Sequence, residues 1–255
     1  MELMNSQVNL EKQPKKAENR ISIRKIFPII LENISVLLIV LFLFVPLFWI
    51  FLTSFKPYEE VFTTSIFFQP TLENYLAVFN SSFDLGKYYS NSTIVVIVTL
   101  IITLVVSVLA SYSLSRFDIP GKQVIMFGIL ATQFIPLIIN VIPYFVMFRN
   151  FGLLDTTLGL IIVNLGHTIP YAIWLIKGFM DRIPIAIEEQ ASIDGASRFR
   201  IIWSILLPLA KPGIITASVF CFVIIWNEFM FALILTNREA VTLPVALQFF
   251  IGEEV

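Results

Sequence analysis

The chain has 255 residues, of which 57% are hydrophobic and 14% charged, against roughly 25% charged in an ordinary soluble domain, and this excludes a conventional water-soluble fold. Its 17 basic and 18 acidic residues leave a net charge of -1, so no basic surface exists to drive binding to nucleic-acid phosphates. One cysteine, Cys221, and one histidine, His167, are present, which excludes an internal disulfide, a structural zinc cluster and a His-based catalytic metal site.

Residues 1–28 read as a polar tail. The apolar run that follows is too long for a secretory signal and lacks a small-residue cleavage site, so it is a retained anchor. Five stretches, at about 34–55, 92–114, 124–148, 156–176 and 213–236, reach the roughly 17 to 25 apolar residues that a spanning helix needs. All five read as helices, because a segment in lipid must satisfy its backbone hydrogen bonds internally. The expected fold is therefore an all-α integral membrane protein, a helical bundle of five spans. Residues 56–90, with Pro57, Pro70 and Gly86, form a loop between the first two spans.

Short loops rich in Lys and Arg stay in the cytoplasm. Lys12, Lys15, Lys16, Arg20, Arg24 and Lys25 precede the first span; Arg116 and Lys122 follow the second; Lys177, Arg182, Arg198, Arg200 and Lys211 follow the fourth. Only Lys56, Lys87, Arg149 and Arg238 lie on the other side. This places the N-terminus in the cytoplasm.

Polar residues recur inside the spans. Thr99, Thr103, Ser107 and Ser111 make a stripe at intervals of four along the second span, a spacing that favours close helix packing over a solute site. Gln133 and Asn140 lie seven apart in the third, where Pro136 and Pro143 predict kinks. In the fourth, Asn164, His167, Thr168 and Tyr171 share one helix face, which must meet protein or water rather than acyl chains. That face either lines a pathway for a neutral, hydroxyl-rich solute or packs against another helix. Asn227 and Glu228 near the outer end of the fifth span read either as a gate or, for Glu228, as a satisfied interfacial carboxylate.

Residues 177–212 stand apart as a long loop on the cytoplasmic side. Pro184 suits the first turn of a short helix, Gly195 its left-handed cap, and Ser197 the start of a second helix ending near Pro208. Ala186, Ala191, Ser192 and Ala196 permit close approach of another surface, while Glu188, Glu189 and Asp194 offer carboxylates to a basic partner. A docking element is the natural reading.

Glu189, Ala191, Asp194, Gly195, Ile205, Leu207 and Pro208 resemble, at matching spacing, the EAA loop of permease subunits in maltose-type ATP-binding-cassette importers. Gln190 stands where that family has a second Ala. Similar segments are Thr-Ser-Phe-Lys-Pro at 53–57, Glu-Asn-Tyr at 73–75, Leu-Ala-Ser-Tyr-Ser-Leu-Ser-Arg-Phe at 109–117, Gly-Leu-Leu-Asp-Thr at 152–156 and Trp-Asn-Glu-Phe at 226–229.

The resemblance implies a multi-pass permease in a bacterial or archaeal cell membrane, with residues 29–255 as the transmembrane domain. Its implied partners are a second permease subunit in a heterodimer, an ATPase dimer that uses ATP and Mg, an extracytoplasmic solute-binding protein, and membrane lipid. The cargo it implies is a carbohydrate, an oligosaccharide or disaccharide. Glu188, Glu189, Ala191, Asp194, Gly195, Ile205, Leu207 and Pro208 are the expected ATPase-coupling residues, and Gln133, Asn140, Asn164, His167, Tyr171, Asn227 and Glu228 the candidate pathway residues. No cofactor is expected on this chain: Gly121-Lys122 lacks the preceding glycine of a phosphate-binding loop and is followed by Gln123. It is therefore not expected to be an enzyme.

Two other readings compete. An ion-coupled carrier would use Glu32, His167 and Glu228 as coupling groups but has no use for the docking loop, and a non-transporting scaffold needs no polar face on the fourth span. The family pattern has six spans, whereas the apolar run Thr242–Ile251 is ten residues, about half the hydrocarbon thickness. A truncated chain lacking its final span is the expectation.

Overall fold

The computed structural model describes residues 23–80 and 84–253. Most of the expected polar tail, with Lys12, Lys15, Lys16 and Arg20, lies outside the described residues. The chain divides into two units, residues 1–77 and 78–255. Helices are the only regular elements among the described residues. Four are long and apolar enough to cross a membrane, or five spans in all when one sharply bent pair is counted as a span.

In the first unit, helix α1 (Ile23–Thr53) supplies an apolar span. Glu32 is exposed on it. The following segment folds back on itself, and helix α2 (Glu73–Asn80) begins within it. The Asn74 side chain donates to the carbonyls of Ser54 (3.0 Å) and Lys56 (2.8 Å), and the Ser54 and Tyr75 hydroxyls lie 2.8 Å apart. Thus the 53–57 and 73–75 segments meet. Lys56 is fully buried; its Nζ donates to the Thr63 carbonyl at 2.7 Å and lies over the Trp49 ring at 4.7 Å. A buried ammonium needs such compensation, here from a carbonyl and a π face.

The second unit is built on helices α3 (Leu85–Arg116), α6 (Thr157–Met180) and α9 (Leu207–Trp226), which pack against one another. Asp84 caps α3 by accepting from the Lys87 N–H, so this helix starts within the segment expected to be loop. The hydroxyl stripe of α3 is fully buried against α6. Thr103 and Thr168 hydroxyls lie 2.7 Å apart, Ser107 donates to the Ile169 carbonyl (3.3 Å) and Ser111 to that of Ile173 (3.0 Å). Packing is therefore the role of that stripe. Partner numbers rise together, so α3 and α6 run parallel.

Helix α9 returns antiparallel, with Gly213 against Phe179; a Cβ there would lie 2.5 Å from the Phe179 ring, so only glycine admits the contact.

The expected third span is not one kinked helix. It is α4 (Lys122–Ala131), a tight turn at Thr132–Phe134 and α5 (Leu137–Asn150), bent by 92°. Pro136 forces extended backbone on Ile135 (ψ 117°), whereas Pro143 remains inside α5.

The fifth span is also displaced. The long helical stretch runs from Arg198 to Trp226, through helix α8 (Arg198–Ile201), a π turn at Ile202–Leu206 and α9. It does not end at Pro208. Proline lacks the N–H that would close the preceding regular turn, and the wider π turn stands directly before it. Past Trp226 the chain breaks and resumes as α10 (Met230–Leu235), so 213–236 is interrupted at Asn227–Phe229. Helix α11 (Leu243–Glu253) follows.

Candidate functional site

Between α6 and α8 the chain turns twice and forms helix α7 (Ala186–Ile193). Glu188 and Glu189 lie in its first turn, where carboxylates complement the helix dipole. At its end the Gly195 N–H donates to the Ser192 carbonyl (3.1 Å) and the Ala196 N–H to that of Ala191 (3.0 Å). This paired closure needs a left-handed residue, and Gly195 supplies it at φ 82°. Ser197 then caps α8 by accepting from the Arg200 N–H. Both caps match the sequence reading.

The carboxylates of α7 part company. Glu188 turns inward and pairs with Arg116 at the end of α3, the two side chains keeping only 11% and 7% exposure. Arg116 Nη2 also donates to the Ile183 carbonyl at 3.1 Å. The expectation that Glu188 faces an outside partner gives way to this internal pair. Glu189 and Asp194 are exposed, as is Ile193 at 86%. Ala191 is buried, Ile205 and Leu207 are half-buried, and Pro208 is exposed. At the root of the loop Lys177 bonds Asp181 at 2.6 Å. Partial burial raises the Asp181 pKa, but the Lys177 bond, the Ser115 hydroxyl and the nearby Lys177 and Lys122 charges together outweigh it and hold the carboxyl below its ordinary value.

The candidate pathway residues do not form one cluster. Asn164 is buried and donates to its own helix at the Leu160 carbonyl (2.8 Å), while Thr168 is taken up by α3; this part of the face serves packing. His167 is half-buried and stacks on Phe231 of α10 at 5.3 Å, with Nε2 enclosed and unpaired among the described residues. Tyr144 of α5 meets the same Phe231 ring edge-on at 5.5 Å, which brings α5, α6 and α10 together around His167. Tyr171 packs on Phe220 at 6.2 Å. Gln133 is exposed at the break of the third span and Asn140 is half-buried on α5. Asn227 is exposed, its side chain donating to the Val223 carbonyl. Glu228 is a cap: its carboxylate accepts from the N–H groups of Phe231 (2.7 Å) and Ala232 (3.1 Å).

Sequence reasoning gave no role to Tyr144 or Phe231, and it read Arg116 only for orientation and, with Asp155, as part of a family-like segment. Asp155 stands at φ 55°, a conformation aspartate tolerates better than most residues. Its carboxylate accepts from four successive backbone N–H groups, those of Asn237, Arg238, Glu239 and Ala240, at 3.0–3.1 Å. The loop so held is tied to the start of α3 as well. Asn91 donates to the carbonyls of Glu239 (2.8 Å) and Val241 (3.0 Å), and Ser92 accepts from the Leu243 N–H (2.8 Å).

Residues 108–251 match the family described as binding-protein-dependent transport system inner membrane component. The chain is 33% identical over 198 residues to the diacetylchitobiose uptake system permease protein NgcG of Streptomyces coelicolor, covering 76% of this chain and 65% of that one. It thus spans just under two thirds of that relative's length. It is 36% identical over 207 residues to the inner membrane ABC transporter permease protein YcjP of Escherichia coli (79% and 74% covered). With the trehalose transport system permease protein SugB of Mycobacterium tuberculosis it shares 33% over 217 residues (84% and 79%). A solved bacterial ABC transporter involved in the import of the acidic polysaccharide alginate superposes with a TM-score of 0.71 at 27% identity, over 90% of this chain and 80% of that one.

Proposed function

We propose that this chain, which belongs to the family of binding-protein-dependent transport system inner membrane components, is the permease subunit of an ATP-driven importer that carries an oligosaccharide or disaccharide. It is a multi-pass membrane protein and the family's permeases are not enzymes. ATP hydrolysis, with its Mg, falls to a separate ATPase dimer. The other partners in this reading are a second permease in a heterodimer and an extracytoplasmic solute-binding protein, with the N-terminus and α7 in the cytoplasm.

The observation that carries the proposal is α7 itself: a short helix, locked at its end by Gly195, that presents Glu189, Ile193 and Asp194 to solvent. A rigid helix passes on a rigid-body displacement that a flexible loop would absorb. Closure of the ATPase dimer presses on α7, and α6 and α9 move with it. Carbohydrate is supported by the relatives for diacetylchitobiose and trehalose.

The test is the whole importer reconstituted in vesicles. Glu189→Lys or Gly195→Pro should abolish uptake while α3, α6 and α9 still insert. Normal solute-stimulated ATPase together with normal uptake in both variants would sink the docking role. Uptake of radiolabelled disaccharides, absent for all of them in the wild-type complex, would sink the carbohydrate assignment.

A further inference from the structure

Resting on the docking role of α7, we infer that Arg116 is a positioning residue that ties α7 to α3 and makes α3 a third helix driven by the ATPase. A loop joined only through its covalent ends would pass motion to α6 and α9. Arg116 adds a connection 72 residues away in sequence, through its guanidinium to the Glu188 carboxylate and to the Ile183 carbonyl just before α7. Both side chains are nearly removed from water, so water and salt compete poorly with the pair. A guanidinium bonded at two points is also directional, as a single point charge would not be.

The next residue grips the other arm of the loop. Phe117 packs edge-on against Tyr112 of α3 at 5.9 Å and carries the Arg198 guanidinium over its ring at 5.3 Å. The last turn of α3 therefore holds both the entry to α7 and the start of α8. At its other end α3 holds the 236–242 loop through Asn91 and Ser92. Displacement of α7 reaches that loop along α3, across about 38 Å for the 25 residues from Asn91 to Arg116 at 1.5 Å each.

The experiment uses the complete importer in vesicles, with uptake and ATP hydrolysis measured on the same preparation. Arg116→Ala and Glu188→Gln should each cut uptake about tenfold, within the range of mutations that alter coupling, while hydrolysis changes much less. The ATP spent per solute then rises. The reversed pair, Arg116→Glu with Glu188→Arg, should recover part of the loss. An unchanged ratio in both single variants overturns the inference, and so does a reversed pair no better than the worse single one. If Arg116→Ala fails to assemble, Arg116→Lys, which keeps the charge but not the two-point geometry, carries the same test with an intermediate ratio expected and a wild-type ratio overturning it. Gly195→Pro serves as the control. Uncoupled Gly195→Pro beside a normal Arg116→Ala overturns the Arg116 role alone; a normal Gly195→Pro removes the docking role and this one with it.

Discussion

Two loops sit against opposite ends of α3, and each is held by a buried or half-buried carboxylate in a different way. The loop bearing α7 is held by one side chain on another, Glu188 on Arg116. The loop at 236–242 is held by Asp155 through four consecutive backbone N–H groups. A carboxylate in a row of amides reads only the shape of the backbone and tolerates any side chain that permits that shape. A side-chain pair depends on two particular residues and can be broken without unfolding the segment. The ionic pair thus ties α7 to α3 through two particular side chains, and the amide row ties the 236–242 loop through its backbone shape.

The largest effect is expected at the ionic end. Glu188→Ala leaves the enclosed Arg116 charge without its carboxylate, with only the Ile183 carbonyl still bonded to it, and breaking a buried pair from one side costs about 3–5 kcal/mol. Thermal unfolding of the purified chain in detergent should show it, with Glu188→Gln milder. An unchanged midpoint for Glu188→Ala would erase the contrast between the two ends.

Asp155→Asn should come next. Hydrogen bonds to a charged group are each worth about 1.5–3 kcal/mol; asparagine keeps one acceptor oxygen and accepts the left-handed backbone, so a net loss of about 2 kcal/mol is expected. Amide exchange at 237–240 should accelerate while that of α7 stays put. Equal acceleration in both loops would mean that they are not independently held.

Acid sharpens the same point. Partial burial raises the Asp155 pKa, but the backbone donors outweigh this and hold it below the ordinary value. A folded pKa below the unfolded one of about 3.9 means that the anchor is complete above that value and is lost as pH falls through the folded one. Exchange at 237–240 measured down an acid series should show this step in the wild type and lack it in Asp155→Asn.

Asn91→Ala, which removes two neutral bonds to the same loop, should cost about 1–2 kcal/mol in the same melt. Lys87→Ala should change nothing measurable, because its pair with Glu239 is open to solvent. A clear loss there would show that charge as well as backbone shape secures the loop.

The parts of this arrangement legible in the sequence are the local ones. Gly195 and Ser197 announce a helix end and a helix start because capping involves neighbours only, and the hydroxyl stripe of α3 announces packing because four-residue spacing is itself the contact geometry. Glu188 and Glu189 are adjacent acidic residues in one helical turn, and nothing local separates them. Arg116, 72 residues away, decides that Glu188 points in. Pro136 signals a kink, but a 92° break depends on what the two halves pack against. The polar pair Asn227 and Glu228 is likewise visible in an otherwise apolar run, but nothing local shows that Glu228 caps the helix that follows.

The hydroxyl contacts between α3 and α6 carry a mechanical consequence. Thr103, Ser107 and Ser111 each meet a fixed partner on α6, and they recur every four residues, or about 6 Å. A slip of one residue would pull all three from their acceptors inside the membrane, where water cannot replace them. The next comparable alignment lies a full 6 Å step away. Small axial sliding between these two parallel helices is thereby suppressed, which leaves tilting and rotation as the motions that the Arg116 connection can pass to α3. In the proposed import cycle, α3 and α6 then tilt or turn against each other and their neighbours, and a piston stroke of one past the other is closed to them.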